Sequence, residues 1–271
     1  MLASAISFTV MTMLIKFLGD EYPSPLQTFY RQLAGLLVVL PVVLPNPRKV
    51  LYTTRPGIML FRAAAGTLAM VLSFYAYQKM PLADANALSF TRTLWLVPLA
   101  AFVLKEAVGQ RRVAATVIGF VGVLLMLQPQ AQLDMGWPAT AALASGLLFA
   151  LTVTGMKVLT RDHSTLTLMA WYAILGFVFA IPPALLVWRW PSAPDLALLG
   201  AMGVLGVITQ ACYINGMSEG DAAAMAPIDY TRLVFAVILG YALFEDIPNT
   251  IYITLREARL GKPEPPAERV E

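Results

Sequence analysis

Cysteine and histidine are almost missing from this sequence. Cys212 is the one thiol, so no internal disulfide can form and the redox compartment stays unread. His163 is the one imidazole, which excludes a histidine-rich zinc or di-iron site and leaves at most one candidate for a His–Ser or His–Cys dyad. No GxxxxGK string followed by Ser or Thr occurs, so the chain has no P-loop for ATP. Charge is scarce as well, at 13% of residues where soluble domains carry about 25%. Hydrophobic residues make up 58% of the 271, and there are too few polar side chains to cover a globule of this size. Mean hydropathy is +0.69. A soluble protein, a coiled coil and a disordered chain are thereby excluded.

What is present is a series of apolar runs of about 15 to 24 residues, the length that crosses a hydrocarbon core. They predict spans at 2–18, 26–44, 57–78, 85–104, 113–128, 137–156, 165–188, 196–217 and 222–244. Each is expected to be helical, because unpaired backbone groups in lipid cost several kcal/mol and these runs are too long and uniform for barrel strands. Met1 opens directly into apolar sequence, which reads as a first span and not as a cleaved signal. The fold class is an all-α polytopic membrane protein. The segment 130–136 divides it into a unit over 1–129 and a unit over 137–271.

Loop charge sets the expected orientation. With the N-terminus inside, the inner loops hold Arg48, Lys49, Arg55, Lys105, Arg111, Arg112, Lys157 and Arg161, against Lys79 and Arg189 outside. The net charge of +3 is explained by this bias, so no nucleic acid partner is implied. Trp137, Trp188 and Trp190 fall at outer span ends, where amphipathic rings prefer to lie. After Glu245, only Ile251 to Leu255 is apolar before Arg256, a rise of about 7.5 Å. About nine spans are expected, with a tenth largely missing, the tail outside or on the surface, and the uncovered face of span nine sheltered in a homodimer or left destabilised.

The two units repeat one another. Met80-Pro81-Leu82-Ala83-Asp84-Ala85 answers Met217-Ser218-Glu219-Gly220-Asp221-Ala222, Ser89-Phe90-Thr91-Arg92 answers Asp229-Tyr230-Thr231-Arg232, and Leu104-Lys105-Glu106 answers Leu243-Phe244-Glu245. A unit of five spans is odd-numbered, so the second copy enters the membrane inverted. That build suits a carrier with its site near the midplane between halves.

At these residues the chain resembles the drug/metabolite transporter superfamily, in its EamA-like branch. The resemblance is carried by Phe74-Tyr75-Ala76-Tyr77 through Met80 to Ala85, by Leu104-Lys105-Glu106, and by Gly119 and Gly122. In the second half it is carried by Tyr230-Thr231-Arg232-Leu233-Val234-Phe235, by Glu245 before Pro248, and by Arg256-Glu257. It implies a secondary carrier of ten helices in a bacterial inner membrane, with both termini cytoplasmic, moving amino acids, nucleotide-like metabolites or drugs. This chain departs from that pattern between Thr250 and Ile251.

Charges inside spans are the first site candidates. Arg92 and Arg232 are repeat-related, and Asp229 stands three residues before Arg232. These residues form either a structural ion pair on span nine or a site in which arginines hold a carboxylate or phosphate by forked hydrogen bonds. In the second case Asp229 holds a substrate amine or carries a coupling proton. Arg31, beside Tyr30 and one turn from Gln27, reaches either the site or the outer interface. Lys16 and Arg62 lie near span ends and are expected to snorkel. Asn86, Ser89, Phe90 and Thr93 share a stripe on span four, with Arg92 at its margin and Trp95 beyond, lining either an interface or a cavity. Tyr75 and Tyr77, Trp171 and Tyr172, and Tyr213 and Tyr230 either floor that cavity or serve as packing and anchors.

Other features read as structural. Asp84 and Asp221 are expected N-caps, Glu106 and Glu245 contacts at loop edges, and Gly119, Gly122, Gly200, Gly203 and Gly206 close-packing positions. Pro98, Pro182, Pro183 and Pro227 should kink or break their spans.

The leading expectation is a secondary transporter, not an enzyme, that moves a small zwitterionic or anionic metabolite by alternating access. S-adenosylmethionine or an amino acid would fit. No cofactor and no metal site are expected, and the partners are the small-molecule substrate and the lipid bilayer. A degenerate, non-transporting carrier is the alternative. An intramembrane transferase would need an acid–base pair or a metal, and one loop histidine with one intramembrane aspartate is thin equipment.

Overall fold

The computed structural model describes residues 2–19, 21–89, 91–103, 136–160 and 162–219, with isolated positions 114, 118, 238 and 241. Spans five and nine and the tail, apart from those isolated positions, lie outside the described residues. The chain forms α1 (Leu2–Phe17), α2 (Ser24–Val43), α3 (Pro47–Val50), α4 (Pro56–Lys79), α5 (Leu82–Ser89), α6 (Thr91–Phe102), α7 (Trp137–Leu159), α8 (Thr165–Leu185) and α9 (Ala193–Glu219). No strand occurs among the described residues. Five of these helices are long and apolar enough to cross a bilayer (α2, α4, α7, α8 and the Ala193–Cys212 part of α9), and Ala3–Phe17 is apolar but shorter.

Local chemistry fixes the helix starts. Proline occupies the first turn of α2, α4 and α7, where its missing N–H is no loss. Ser164 caps α8, its Oγ accepting from the Thr167 N–H at 3.2 Å. Hydroxyls inside the helices donate back to their own chain, as from Thr12 to the Thr9 carbonyl at 2.8 Å and from Thr154 to Ala150 at 2.9 Å, which lets them be buried.

One expectation, the capping role of Asp84, is corrected. Of the kink or break expected at Pro182 and Pro183, there is no break: α8 continues through both to Leu185. Asp84 lies within the first turn of α5, buried, rather than at its cap. Span four is described over Leu82–Ser89 and Thr91–Phe102, with Phe90 outside the described residues. The loop after span two contains the short helix α3.

Loop contacts sort the helix ends onto two faces. On the first, Arg55 pairs with Asp162 at 2.8 Å, Thr53 Oγ1 lies 3.0 Å from His163 Nε2, and Trp171 Nε1 donates to the Leu51 carbonyl at 3.2 Å. On the second, the Tyr22 hydroxyl donates to Asp195 Oδ2 at 2.9 Å, Gln78 Nε2 donates to the Tyr22 carbonyl at 3.2 Å, and Lys16 Nζ donates to the Met80 carbonyl at 3.3 Å. Helices α1, α4 and α8 thus run towards the second face, and α2, α7 and α9 away from it.

Packing crosses between the two halves. Helix α4 lies along α7, α2 along α8, and α1 along α9; α2 also meets α9, and α4 meets α8. A core of Met11, Ile15, Leu26, Phe74, Leu199 and Met202 closes the second-face side. Large apolar side chains such as Leu37, Phe61, Leu68 and Val204 face outward, as a lipid-bathed surface requires.

Candidate functional site

Between the halves lies a cavity of about 180 Å³. Along α4 it extends from Arg62 to Tyr77, roughly 22 Å of helix rise, so it occupies the middle of the bundle. Three arginines line it: Arg31 from α2, Arg62 from α4 and Arg92 from α6. Hydroxyls of Ser73, Ser89, Thr152 and Thr209 share the wall with apolar Phe8, Met70, Phe74 and Phe149. No carboxylate is among the described lining residues.

Arg62 is only 4% exposed. Its Nη1 donates to the Leu168 carbonyl at 3.3 Å, and its Cζ stands 4.9 Å from the centre of the Tyr172 ring. Such a cation–π contact is worth about 0.5–2 kcal/mol. Tyr172 reaches this position because Gly66, one turn along α4, has no side chain; a Cβ there would lie 2.8 Å from Tyr172 Cε2. Arg31 turns its Nη1 to Gln32 Oε1 and to Met70 Sδ, both at 3.3 Å. Opposite it, on α9, Gly206 leaves the space: a Cβ would stand 2.7 Å from Arg31 Nε. The Nε donors of Arg31 and Arg62 are buried and have no hydrogen-bond partner among the described residues. Guanidinium offers five donors and no acceptor, so such a wall recognises acceptor groups, anions above all.

Several expected site residues converge here and others do not. Arg31, Ser89 and Arg92 line the cavity. Asn86 sits one layer behind, almost wholly buried, its Nδ2 donating to the Leu82 carbonyl at 2.8 Å and its Oδ1 accepting from the lining residue Tyr77 at 3.5 Å. Ser89 Oγ donates to the Asn86 carbonyl at 2.6 Å. Tyr75 and Trp95 are not in the lining, and Trp95 is exposed on the outside of the bundle. Asp229, Tyr230 and Arg232 lie outside the described residues. The expectation that Arg62 snorkels is corrected by its burial. The signal was a helical stripe: Arg62, Gly66, Ala69, Ser73 and Tyr77 recur at spacings of three and four. Of the glycines on α9, Gly203 and Gly206 pack against α2, whereas a Cβ at Gly200 would meet nothing within 4 Å. His163 is held in the loops by Thr53, the Thr54 N–H and the Leu159 carbonyl.

The profile of the EamA-like transporter family matches residues 1–128 and 136–254. The S-adenosylmethionine uptake transporter of Rickettsia prowazekii is 28% identical over 248 residues, covering 92% of this chain and 84% of that protein. The pseudopaline exporter of Pseudomonas aeruginosa strain PAO1 is 23% identical over 254 residues, covering 92% and 88%. A solved crystal structure superposes with a TM-score of 0.62 at 19% identity, covering 96% of this chain and 99% of the other, and shares the fold.

Proposed function

The chain belongs to the EamA-like transporter family, and on that premise we propose that it is a secondary carrier for a small metabolite bearing a negative group, anionic or zwitterionic. It is a multi-pass membrane protein, and the relatives' names are those of transporters of small metabolites in bacteria, which fits an inner-membrane location. The observation that carries the finer reading is the pair Arg31 and Arg62, which line a cavity between the halves with buried Nε donors that have no hydrogen-bond partner among the described residues. A buried guanidinium donor left unmet is costly, so a site of this kind is set to receive an acceptor group, an anion above all.

Alternating access between inverted repeats is supported by the packing. Spans one, two and three are α1, α2 and α4; spans six, seven and eight are α7, α8 and α9. Each corresponding pair runs in opposite directions. Exchanging the copies turns the α4–α7 contact into the α9–α1 contact, turns α2–α9 into α8–α4, and leaves α2–α8 as itself. The contacts at the two faces exchange in the same way, the Arg55–Asp162 loops for the Asp195–Tyr22 loops. Each face thus carries a contact between loops of both halves, and a carrier opens one face at a time.

S-adenosylmethionine, the solute named for the Rickettsia relative, carries a carboxylate and is to be tried beside an aromatic amino acid, whose single ring is nearer the size of the cavity. Purified protein in proteoliposomes should take up labelled S-adenosylmethionine or an amino acid saturably, with competition from carboxylates and none from the matching amines. Uptake competed equally by amines would overturn the anionic reading.

A further inference from the structure

The arginine-lined space is divided. A smaller chamber of about 40 Å³ adjoins the 180 Å³ cavity, and the two share Arg31, Arg62, Tyr172, Gly206 and Gln210. Three buried N–H donors without a partner among the described residues belong to side chains lining the small chamber: Arg31 Nε, Gln32 Nε2 and Arg62 Nε. Gln32 is 3% exposed and Arg62 4%, so neither finds its acceptor in bulk water. Leaving a buried donor unmet is costly, and three around one space make that space a receptor for acceptors.

Size narrows the group. A chamber of about 40 Å³ is small, and a compact acceptor group such as a carboxylate suits it. The larger space differs in kind. An apolar protein cavity of about 150 Å³ holds a benzene molecule, so 180 Å³ walled partly by Phe8, Met11, Met70, Phe74, Phe149 and Met156 accepts one ring-sized body. The hydroxyls of Ser73 and Thr152 supply limited polar contacts at its wall.

We propose that Arg31 and Arg62, with Gln32, clamp the carboxylate of the transported molecule in the small chamber, while a single ring-sized, largely apolar body fills the larger one. This rests on the carrier reading above and adds the substrate class and the residues that read it. Arg62 holds its fork in place through Tyr172 and the Leu168 carbonyl. Arg31 keeps its position only because Gly206 has no side chain.

Binding to the full chain in lipid nanodiscs, followed by thermal-shift titration, tests this with four probes: 3-phenylpropionate, phenethylamine, acetate and inorganic phosphate. Phenylpropionate should bind saturably, acetate at least about tenfold more weakly, and phenethylamine and phosphate not measurably. Arg31→Gln and Arg62→Gln should each raise the phenylpropionate Kd at least about tenfold, the scale of one lost charged hydrogen bond. Arg48→Gln, in the loop after α2, should leave it unchanged. Gly206→Ala keeps every charge and displaces only the Arg31 fork, so it carries the test if an arginine variant fails to fold; the same loss is expected. Phenethylamine or phosphate binding as tightly as phenylpropionate, no saturable carboxylate binding, or wild-type affinity in the folded variants would each overturn the proposal. Carboxylate binding that survives these variants in a protein that still transports sinks the clamp alone. Absence of any transport with intact carboxylate binding sinks the carrier reading alone.

Discussion

Arg62 and Arg92 enter the same cavity from α4 and α6, and their roles separate by what already holds them. Arg62 is braced by a ring and a carbonyl, so its loss removes both a packing contact and a donor. Arg92→Ala is expected to abolish transport while leaving insertion and the folded fraction near wild type, measured by uptake and by size-exclusion profile. Arg232→Ala should do the same if the repeat gives it a matching place. Normal uptake in both variants would remove them from the site. At this scale the sequence was partly readable. Arg92 stood well inside its span, where a cation has no cheap exit, whereas Arg31 could be read towards the site or the outer interface. Arg62 stood six residues from the start of α4, within reach of an interface, and only the packing of Tyr172 against Gly66 shows which way it turned. Trp95 and Tyr75 share spans with lining residues, and their distance from the cavity depends on rotation about the helix axis, which sequence spacing alone leaves open.

Helix α9 carries its own test in three glycines one turn apart. Gly200→Ala meets nothing within 4 Å and should be close to neutral for stability. Gly203→Ala drives a methyl into the Ala34 Cβ of α2, a rigid neighbour, and should cost about 1–3 kcal/mol in a thermal or denaturant assay. Gly206→Ala meets only the flexible Arg31 side chain, so stability should hardly change while transport falls. Equal effects at all three positions would contradict the helix crossing described. The loops at the two faces give a second test. Arg55 and Asp162 are about two-fifths exposed, and a pair of that kind is worth about 0–1 kcal/mol, weak enough to open and close. Asp162→Ala should raise the accessibility of cavity cysteines from the first face, and Tyr22→Phe from the second. Unchanged labelling in both variants would show that these contacts do not hold the faces shut. The five described helices long enough to cross were legible because about twenty apolar residues have few alternatives in lipid. The short α3 was not, since it does not change the hydrophobic pattern.

For the molecule as a whole, orientation rests on loop charge and the grouping of loops on faces. In a Cys212→Ala background, a cysteine at Ser192 should label with an impermeant reagent added outside intact cells. A cysteine at Thr54 should label only after the inner face is opened. The reverse pattern would invert the topology. Which loops share a face was readable from the alternation of spans, whereas the pairing of α4 with α7 and α1 with α9 required coordinates, because lipid-facing and helix-facing apolar residues look alike in sequence. The central claim is that the arginine-lined cavity moves a carboxylate-bearing solute across the membrane. Solute counterflow tests it most directly: proteoliposomes preloaded with an unlabelled carboxylate substrate are diluted into trace label. The account predicts a transient accumulation of label above equilibrium in wild type and none in Arg62→Gln. Equilibration without overshoot in wild type, or an overshoot that survives the loss of Arg62, would contradict it.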